Sequence, residues 1–144
     1  MKAIATRPMK PGEQAFDQIV LDAEGRHVRR KLLTSQSGLE FLVDFPVAAH
    51  LHDGDALVLE DQRLISIVAD KENLMEVTVP NVAHLSKLAW HIGNRHLEAQ
   101  IEPTRILLKR DAIISTMLRQ LGATVRDVKE KFHPEHGAYH GHGH

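Results

Sequence analysis

Residues 74–109, LMEVTVPNVAHLSKLAWHIGNRHLEAQIEPTRILLK, decide the fold of the C-terminal half of the chain. A short apolar run ends at Pro80-Asn81, where proline stops a strand and asparagine can cap a helix. Apolar residues then recur at helical spacing as far as Ile92. The stretch therefore predicts a strand, a helix and two further strands, namely Leu74–Val79, the helix that begins at Val82, Leu97–Ile101 and Arg105–Lys109.

A second helix and a last strand complete the pattern. The helix is predicted to open at Asp111 and to end at Gly122, the C′ position where glycine is common. Its apolar stripe consists of Ile113, Ile114, Met117, Leu118 and Leu121. A strand at Thr124–Val128 follows, although its charged residues also fit a polar connector. The order strand, helix, strand, strand, helix, strand predicts a ferredoxin-like βαββαβ sheet backed by two helices.

Nucleic-acid binding is disfavoured by both charge and composition. The formal net charge of −1 lacks the basic excess that polyanions attract. RNA-recognition modules share the ferredoxin-like pattern, but they stack bases on aromatic residues of their central strands. The predicted strands Leu97–Ile101 and Arg105–Lys109 contain no aromatic residue. The fold pattern alone therefore does not give a function.

The N-terminal half shows short apolar runs separated by turn residues, which is a pattern of strands. Six strands are predicted: Lys2–Thr6, Asp17–Asp22, His27–Leu33, Glu40–Asp44, Ala56–Leu59 and Leu64–Ala69. They indicate a small β-sandwich or barrel. Polar residues at Asp70–Asn73 predict a domain boundary. The predicted class is α+β, with an all-β domain at 1–70, a ferredoxin-like domain at 71–132 and a flexible, disordered His-rich tail at 133–144.

The chain of 144 residues has no cysteine and eleven histidines. Disulfides, Fe–S clusters, cysteine nucleophiles and thiolate metal sites are excluded, so any metal must bind nitrogen or oxygen. Protonation of every histidine would move the formal net charge from −1 to about +10. The N-terminus lacks a signal-peptide core and no apolar run reaches the length of a membrane span, which predicts a cytoplasmic protein.

The C-terminal tail spells HPEHGAYHGHGH from His133 to His144. Its glycines allow several imidazoles to surround one ion without a preformed fold. Imidazole suits nickel, copper and zinc rather than calcium or magnesium. The alternative is a purification tag, but tags are usually uninterrupted. The candidate ligands are His136, His140, His142 and His144.

His91 and His96 flank a Gly-Asn turn signal after the first helix. Five residues correspond to about 140° round a helix, so the two side chains cannot bind one ion from a shared face. His96 could gain further ligands from a second His96 across a two-fold dimer axis, or from the tail folding back. Alternatively, His91 is a packing residue and His96 an exposed turn residue.

Two other groups in the N-terminal half are candidate sites. Arg26, Arg29 and Arg30 belong to a basic cluster that could contact an acidic partner, although a charged strand rim is usually only solvated. His50 and His52 would share one face of an extended segment and could chelate a metal. The favoured interpretation is that both are ordinary surface histidines.

The chain contains four longer motifs: HIGNRH at His91–His96, QIEPTR at Gln100–Arg105, MLRQLG at Met117–Gly122 and LHDGDALVLEDQRLISIVA at Leu51–Ala69. Together they resemble the UreE family of urease accessory nickel chaperones. The resemblance covers nearly the whole chain.

The resemblance implies a homodimer with a β domain similar to a peptide-binding module and a ferredoxin-like dimerisation domain. In that family the last histidine of the motif, here His96, binds nickel from both subunits and the tail adds ligands. The implied function is delivery of Ni(II) to apo-urease with a partner GTPase, and zinc or copper could bind in vitro. The family catalyses no reaction, which agrees with the lack of a nucleophile–base pair or phosphate loop in the sequence.

Two departures from the family pattern matter. Some members carry an HxH pattern before the second helix, where this chain has Arg110, Asp111 and Ala112. The tail is also shorter than in the most histidine-rich members. We therefore expect one interface ion and only one or two tail ions for each dimer.

Two alternative functions stay open at this point. A metal-dependent hydrolase would hold zinc with His91 and His96 and would need a carboxylate base, for which Glu98 is the near candidate. A peptide-binding adaptor would use the β domain, and the histidines would then be incidental.

Overall fold

The computed structural model describes residues 1–136. It divides the chain into two compact units, one formed by Met1–Asp70 and one that begins at Lys71. The predicted α+β class is confirmed, with a strand-rich N-terminal unit and a βαββαβ C-terminal unit.

The N-terminal unit is one curled, six-stranded sheet in the order β2-β6-β5-β1-β4-β3. Its strands are β1 (Lys2–Arg7), β2 (Asp17–Leu21), β3 (His27–Thr34), β4 (Glu40–His50), β5 (Ala56–Leu59) and β6 (Leu64–Ala69). Two neighbouring pairs, β1 with β4 and β2 with β6, are parallel, and the others are antiparallel. The inner face of the curl holds the core, in which Val43, Leu57 and Ile65 are fully buried.

Asp17 joins the two edges of this sheet. It lies on the edge strand β2, and its carboxylate accepts hydrogen bonds from the hydroxyls of Ser35 and Ser37 in the turn after the opposite edge strand, β3. The backbone N–H of Gln36 donates to the carbonyl of Gln18 in the same place, at 2.8 Å. Because hydrogen bonds favour the charged carboxylate, they lower the pKa of Asp17 to about 2.

Asp17→Asn should flatten the acid limb of the stability curve. The folded pKa lies below the unfolded value of 3.8, so the carboxylate stabilises the fold above that value and loses its effect as pH falls towards 2. Urea denaturation at several pH values should show a variant less stable at pH 7, with the difference from the unaltered protein shrinking below pH 4. Asp70→Asn removes an exposed carboxylate and is the matched control. An equal loss at pH 7 and pH 2.5 would contradict this account.

The C-terminal unit is a four-stranded antiparallel sheet in the order β10-β7-β9-β8. Its elements are β7 (Lys71–Thr78), α1 (Val82–Asn94), β8 (Ala99–Ile101), β9 (Ile106–Lys109), α2 (Ala112–Gln120) and β10 (Thr124–Lys131). Both helices were predicted, and Asn81 and Asp111 cap them by accepting backbone hydrogen bonds. Strand β10 is longer than predicted, because it pairs with β7 along its whole length, from Thr124 opposite Thr78 to Lys131 opposite Lys71.

The helices cover one face of this sheet, where Met75, Val77, Ile106 and Leu108 belong to the core. Side chains alternate along a strand, so Leu74 and Leu107 point to the other face, and both are fully buried. We call residues 132–136, which follow β10, the C-terminal strap.

Two hydrogen bonds hold the C-terminal strap to β8, which lies at the opposite edge from β10. The N–H of His133 donates to the side-chain carbonyl of Gln100, and the N–H of Glu135 donates to the carbonyl of Ala99, both at 2.8 Å. Phe132 and Pro134 are buried. Residues 133–136, the start of the predicted tail, therefore contact β8 through these hydrogen bonds. Residues 137–144 lie outside the described part.

Candidate metal centre

The histidine that closes the GNRH motif is positioned by the way α1 ends. Leu85, Leu88 and Ile92 bury one face of the helix, which continues through Gly93 and Asn94. The N–H of His96 then donates to the carbonyl of Gly93 at 3.0 Å, and the N–H of Leu97 donates to the carbonyl of Ile92 at 3.3 Å. This pair of bonds is a Schellman motif, which satisfies carbonyls left over at the helix end.

His96 has a left-handed backbone, with φ of 58°. It occupies the C′ position of the motif, which glycine usually fills because a Cβ is disfavoured there. The Gly-Asn pair, which the sequence suggested as the turn, is part of the helix. The chain changes direction at His96 and Leu97 instead. Strand β8 starts at Ala99 rather than at Leu97 for this reason. A residue with a Cβ is uncommon in this conformation, and among the described residues Gln62 is the other non-glycine example.

The side chain of His96 is exposed. His91 is half-buried within α1 and meets the ring of Trp90 edge to face, with 5.1 Å between the ring centroids. Among residues 1–136, no three potential ligand side chains come together around one point. A single protomer therefore presents His96 at its surface without a complete ligand set in the described part of the chain.

A cleft of about 280 Å³ opens beside His96, between the start of β8 and the start of α2. The polar side chains that line it already have partners. Glu98 pairs with Lys109 at 3.7 Å, and the guanidinium of Arg110 donates to the carbonyls of Leu74 and Val128. Asp111 caps α2. The position of the family's HxH pattern is thus occupied by side chains that stabilise the fold.

The C-terminal strap brings the start of the histidine tail towards His96. Glu135 is bonded to Ala99, which is three residues from His96, and His136 follows Glu135. Consecutive Cα atoms are about 3.8 Å apart, so the Cα atoms of His136 and His96 are separated by at most about 21 Å. Of the predicted tail ligands, His136 is described and exposed. His140, His142 and His144 lie outside the described residues.

The QIEPTR segment forms the turn between β8 and β9 and links the strap to the last strand. Gln100 accepts from the strap through its carbonyl and donates to Glu102 through its amide, at 2.9 Å. Arg105 then bonds Glu102 and makes a two-pronged contact with Glu130 at 2.8 Å. A further bond joins Arg105 to Glu76 at 2.9 Å. The motif is therefore structural in this chain.

His84 has a structural role that the sequence did not reveal. Its Nε2 lies 2.7 Å from the carbonyl of Leu121, which can only accept, so the Nε2–H donates and satisfies the end of α2. Gly122 follows with φ of 92°, and a Cβ there would lie 3.0 Å from the His84 ring. The contact explains why this helix ends in glycine, whereas α1 ends in histidine.

The other candidate groups lie in the N-terminal unit. Arg26 is only 5% exposed, and its guanidinium donates to the carbonyl of Leu21, so it cannot belong to an open basic surface. Arg29 and Arg30 are exposed on the edge strand β3, with Arg30 3.8 Å from Asp44. His50 contacts His27 across the sheet instead of forming a pair with His52, which opens the next turn.

Comparison with known proteins identifies relatives along the whole chain. Residues 1–70 match the family model for the UreE urease accessory protein, N-terminal domain, and residues 72–144 match its C-terminal domain. "Urease accessory protein UreE" of Chelativorans sp. (strain BNC1) is 50% identical over 132 residues, which cover 92% of this chain and 84% of that relative. The protein of the same name from Rhizobium meliloti (strain 1021) is 49% identical over 135 residues, covering 93% and 88%. Within the described residues, no helix is long and apolar enough to cross a membrane.

Proposed function

Because the chain belongs to the UreE family of urease accessory proteins, we propose that it is a carrier that binds Ni(II) and delivers it to apo-urease. UreE is an accessory chaperone family and not a family of enzymes. The single observation that carries the proposal is the exposed His96 held in a left-handed conformation. The left-handed conformation raises the conformational free energy of a histidine, and a functional requirement for the imidazole would explain why histidine is present there.

We infer that the site is completed by a second copy of the chain. One imidazole binds a metal weakly, and the described part of one protomer does not complete the site. A two-fold axis near His96 would supply a second imidazole from an identical surface. Tail histidines, including His136, would supply the remaining ligands. The C-terminal strap is bonded to Ala99 in β8, which follows His96 by three residues, so the tail starts on that side of the sheet. His91 would support the motif rather than bind the same ion.

Such a site suits a carrier. A site with few protein ligands allows the ion to leave, whereas a closed site with four protein ligands would retain it. Imidazole must be neutral to bind metal, so affinity should fall on acidification and protons should displace nickel. We place delivery in the cytoplasm, with the urease apoprotein and the accessory GTPase as partners, and the exposed Arg29 and Arg30 as a candidate docking surface.

Nickel titration of the full chain tests this proposal. Calorimetry combined with analytical ultracentrifugation should show a dimer with one tight Ni(II) for every two chains, together with weaker ions. A chain that ends after His136 keeps the strap and should remain a dimer with the tight ion, but it should lose the weaker ions. Nickel-loaded protein should activate apo-urease in the presence of the GTPase, and metal-free protein should not. A monomer that binds tight nickel alone would overturn the shared-site proposal.

The hydrolase alternative has little support in this geometry. His91 and His96 are separated by the helix end, and Glu98 is engaged with Lys109. A catalytic zinc usually needs three protein ligands and an open position, and residues 1–136 contain no cluster of three. A carrier function therefore accounts for the exposed His96 better than a hydrolase function does.

A further inference from the structure

Two histidines face each other in the N-terminal unit, far along the chain from the GNRH motif. His27 begins β3 and His50 ends β4, and the two are directly opposite in the antiparallel register. Their ring centroids are 4.5 Å apart, with the ring planes tilted by 40°. The sequence analysis associated His50 with His52, because strand pairing across 23 residues (50 − 27) is not visible in local spacing.

Backbone hydrogen bonds fix this pair from both sides. On one side the N–H of Leu51 donates to the carbonyl of Arg26 at 2.7 Å, and on the other Val28 is in register with Ala49. Val28 and Leu51 are buried in the core, so alternation directs the two histidines to the opposite face. The imidazoles are therefore brought together by the sheet before any ligand arrives, which lowers the entropic cost of binding one.

The ring separation matches that of two imidazoles on one metal ion. With a metal–nitrogen bond of about 2.1 Å, an ion that binds two imidazoles at a right angle holds their centroids about 4.5 Å apart. Right angles between neighbouring ligands are typical of square-planar Cu(II) and Ni(II), whereas tetrahedral zinc needs a wider angle. The pair lies at the end of the β3–β4 ladder, where His27 is exposed and His50 is half-buried.

We propose that His27 and His50 form a second metal site, which binds a square-planar divalent ion through two imidazoles. Cu(II) binds there more tightly than Ni(II), in the usual order of these ions. The site lies within one protomer, so it needs neither the dimer nor the tail. It provides a position where the N-terminal unit takes up a late transition metal.

The test uses a full-length background in which the proposed nickel ligands are absent. His96 is replaced by glycine, and His136, His140, His142 and His144 are replaced by asparagine. Calorimetry with Cu(II) alone should still show about one ion for each chain, and electron paramagnetic resonance should show two nitrogen ligands. His27→Gln or His50→Gln in this background should weaken that binding by about tenfold or more. Thermal denaturation without metal checks that each variant folds.

His52→Gln is the matched control, because His52 is a nearby exposed histidine outside the pair. Copper binding that survives this change and is lost in both pair variants supports the site. Binding that is unchanged in folded His27→Gln protein, or the absence of copper binding in the background chain, overturns it. The background variant already lacks His96 and the tail ligands, so neither result bears on the nickel-carrier proposal. That proposal is tested separately by nickel titration.

Discussion

His96→Gly should abolish the tight nickel site and leave the fold at least as stable as the unaltered protein. The substitution removes the imidazole that each protomer contributes, so nickel affinity should fall by at least about 100-fold. It also relieves the left-handed conformation at φ of 58°, which costs a residue with a Cβ about 1–2 kcal/mol. Loss of function and gain of stability are expected in one variant.

His96→Ala separates these two effects. Alanine also lacks the imidazole, but it keeps a Cβ in the left-handed region, so it should lose nickel without gaining stability. Nickel titration measures the affinity of each variant, and thermal denaturation measures its stability. A tight site that persists in both would assign the ligand elsewhere. A glycine variant less stable than the alanine variant would contradict the Schellman geometry.

Arg105→Met should destabilise the C-terminal unit by about 2–3 kcal/mol. Methionine keeps much of the length of the side chain but leaves Glu76, Glu102 and Glu130 close together without their shared cation. The side chain of Arg105 is 23% exposed, so the loss should fall below that of a fully buried network. Arg105 also lowers the pKa of Glu130. The difference from the unaltered protein should therefore shrink as pH falls from 4.5, the unfolded pKa of Glu130, towards its lower pKa in the folded protein.

Urea denaturation at pH 7 and pH 3 measures both parts of this prediction. Lys109→Met is the control, because it removes a cation whose pair with Glu98 is exposed on both sides. It should change stability by less than about 0.5 kcal/mol. Equal losses in the two variants would show that the Arg105 network contributes no more than a surface ion pair.

Local sequence patterns predicted most of the elements. Strands β5 and β6 have the predicted bounds, and the caps Asn81 and Asp111 are the residues that the sequence indicated. These features depend on neighbours within a few residues, through alternation, helical spacing and side-chain capping. The ferredoxin-like order follows from the sequence of element types, and the UreE resemblance is confirmed by the family matches.

Long-range contacts explain what the sequence missed. Nothing near Asp17 in the sequence shows that it joins two sheet edges, and the burial of Arg26 depends on the turn that surrounds it. The Gln100–Glu102–Arg105 relay meets Glu76 and Glu130 only after the sheet has formed. His96 was identified as a candidate ligand, but its left-handed backbone was assigned to the neighbouring Gly-Asn pair. The shared metal site stays a prediction.

The position of β10 at the end of the C-terminal unit also has a consequence for biosynthesis. A chain emerges from the ribosome N-terminus first, so β7, α1, β8 and β9 are available before β10. Until residues 124–131 have been released, one edge of β7 has no partner strand. Nascent chains that stall before this point would expose an unpaired strand edge, which favours pairing with other chains.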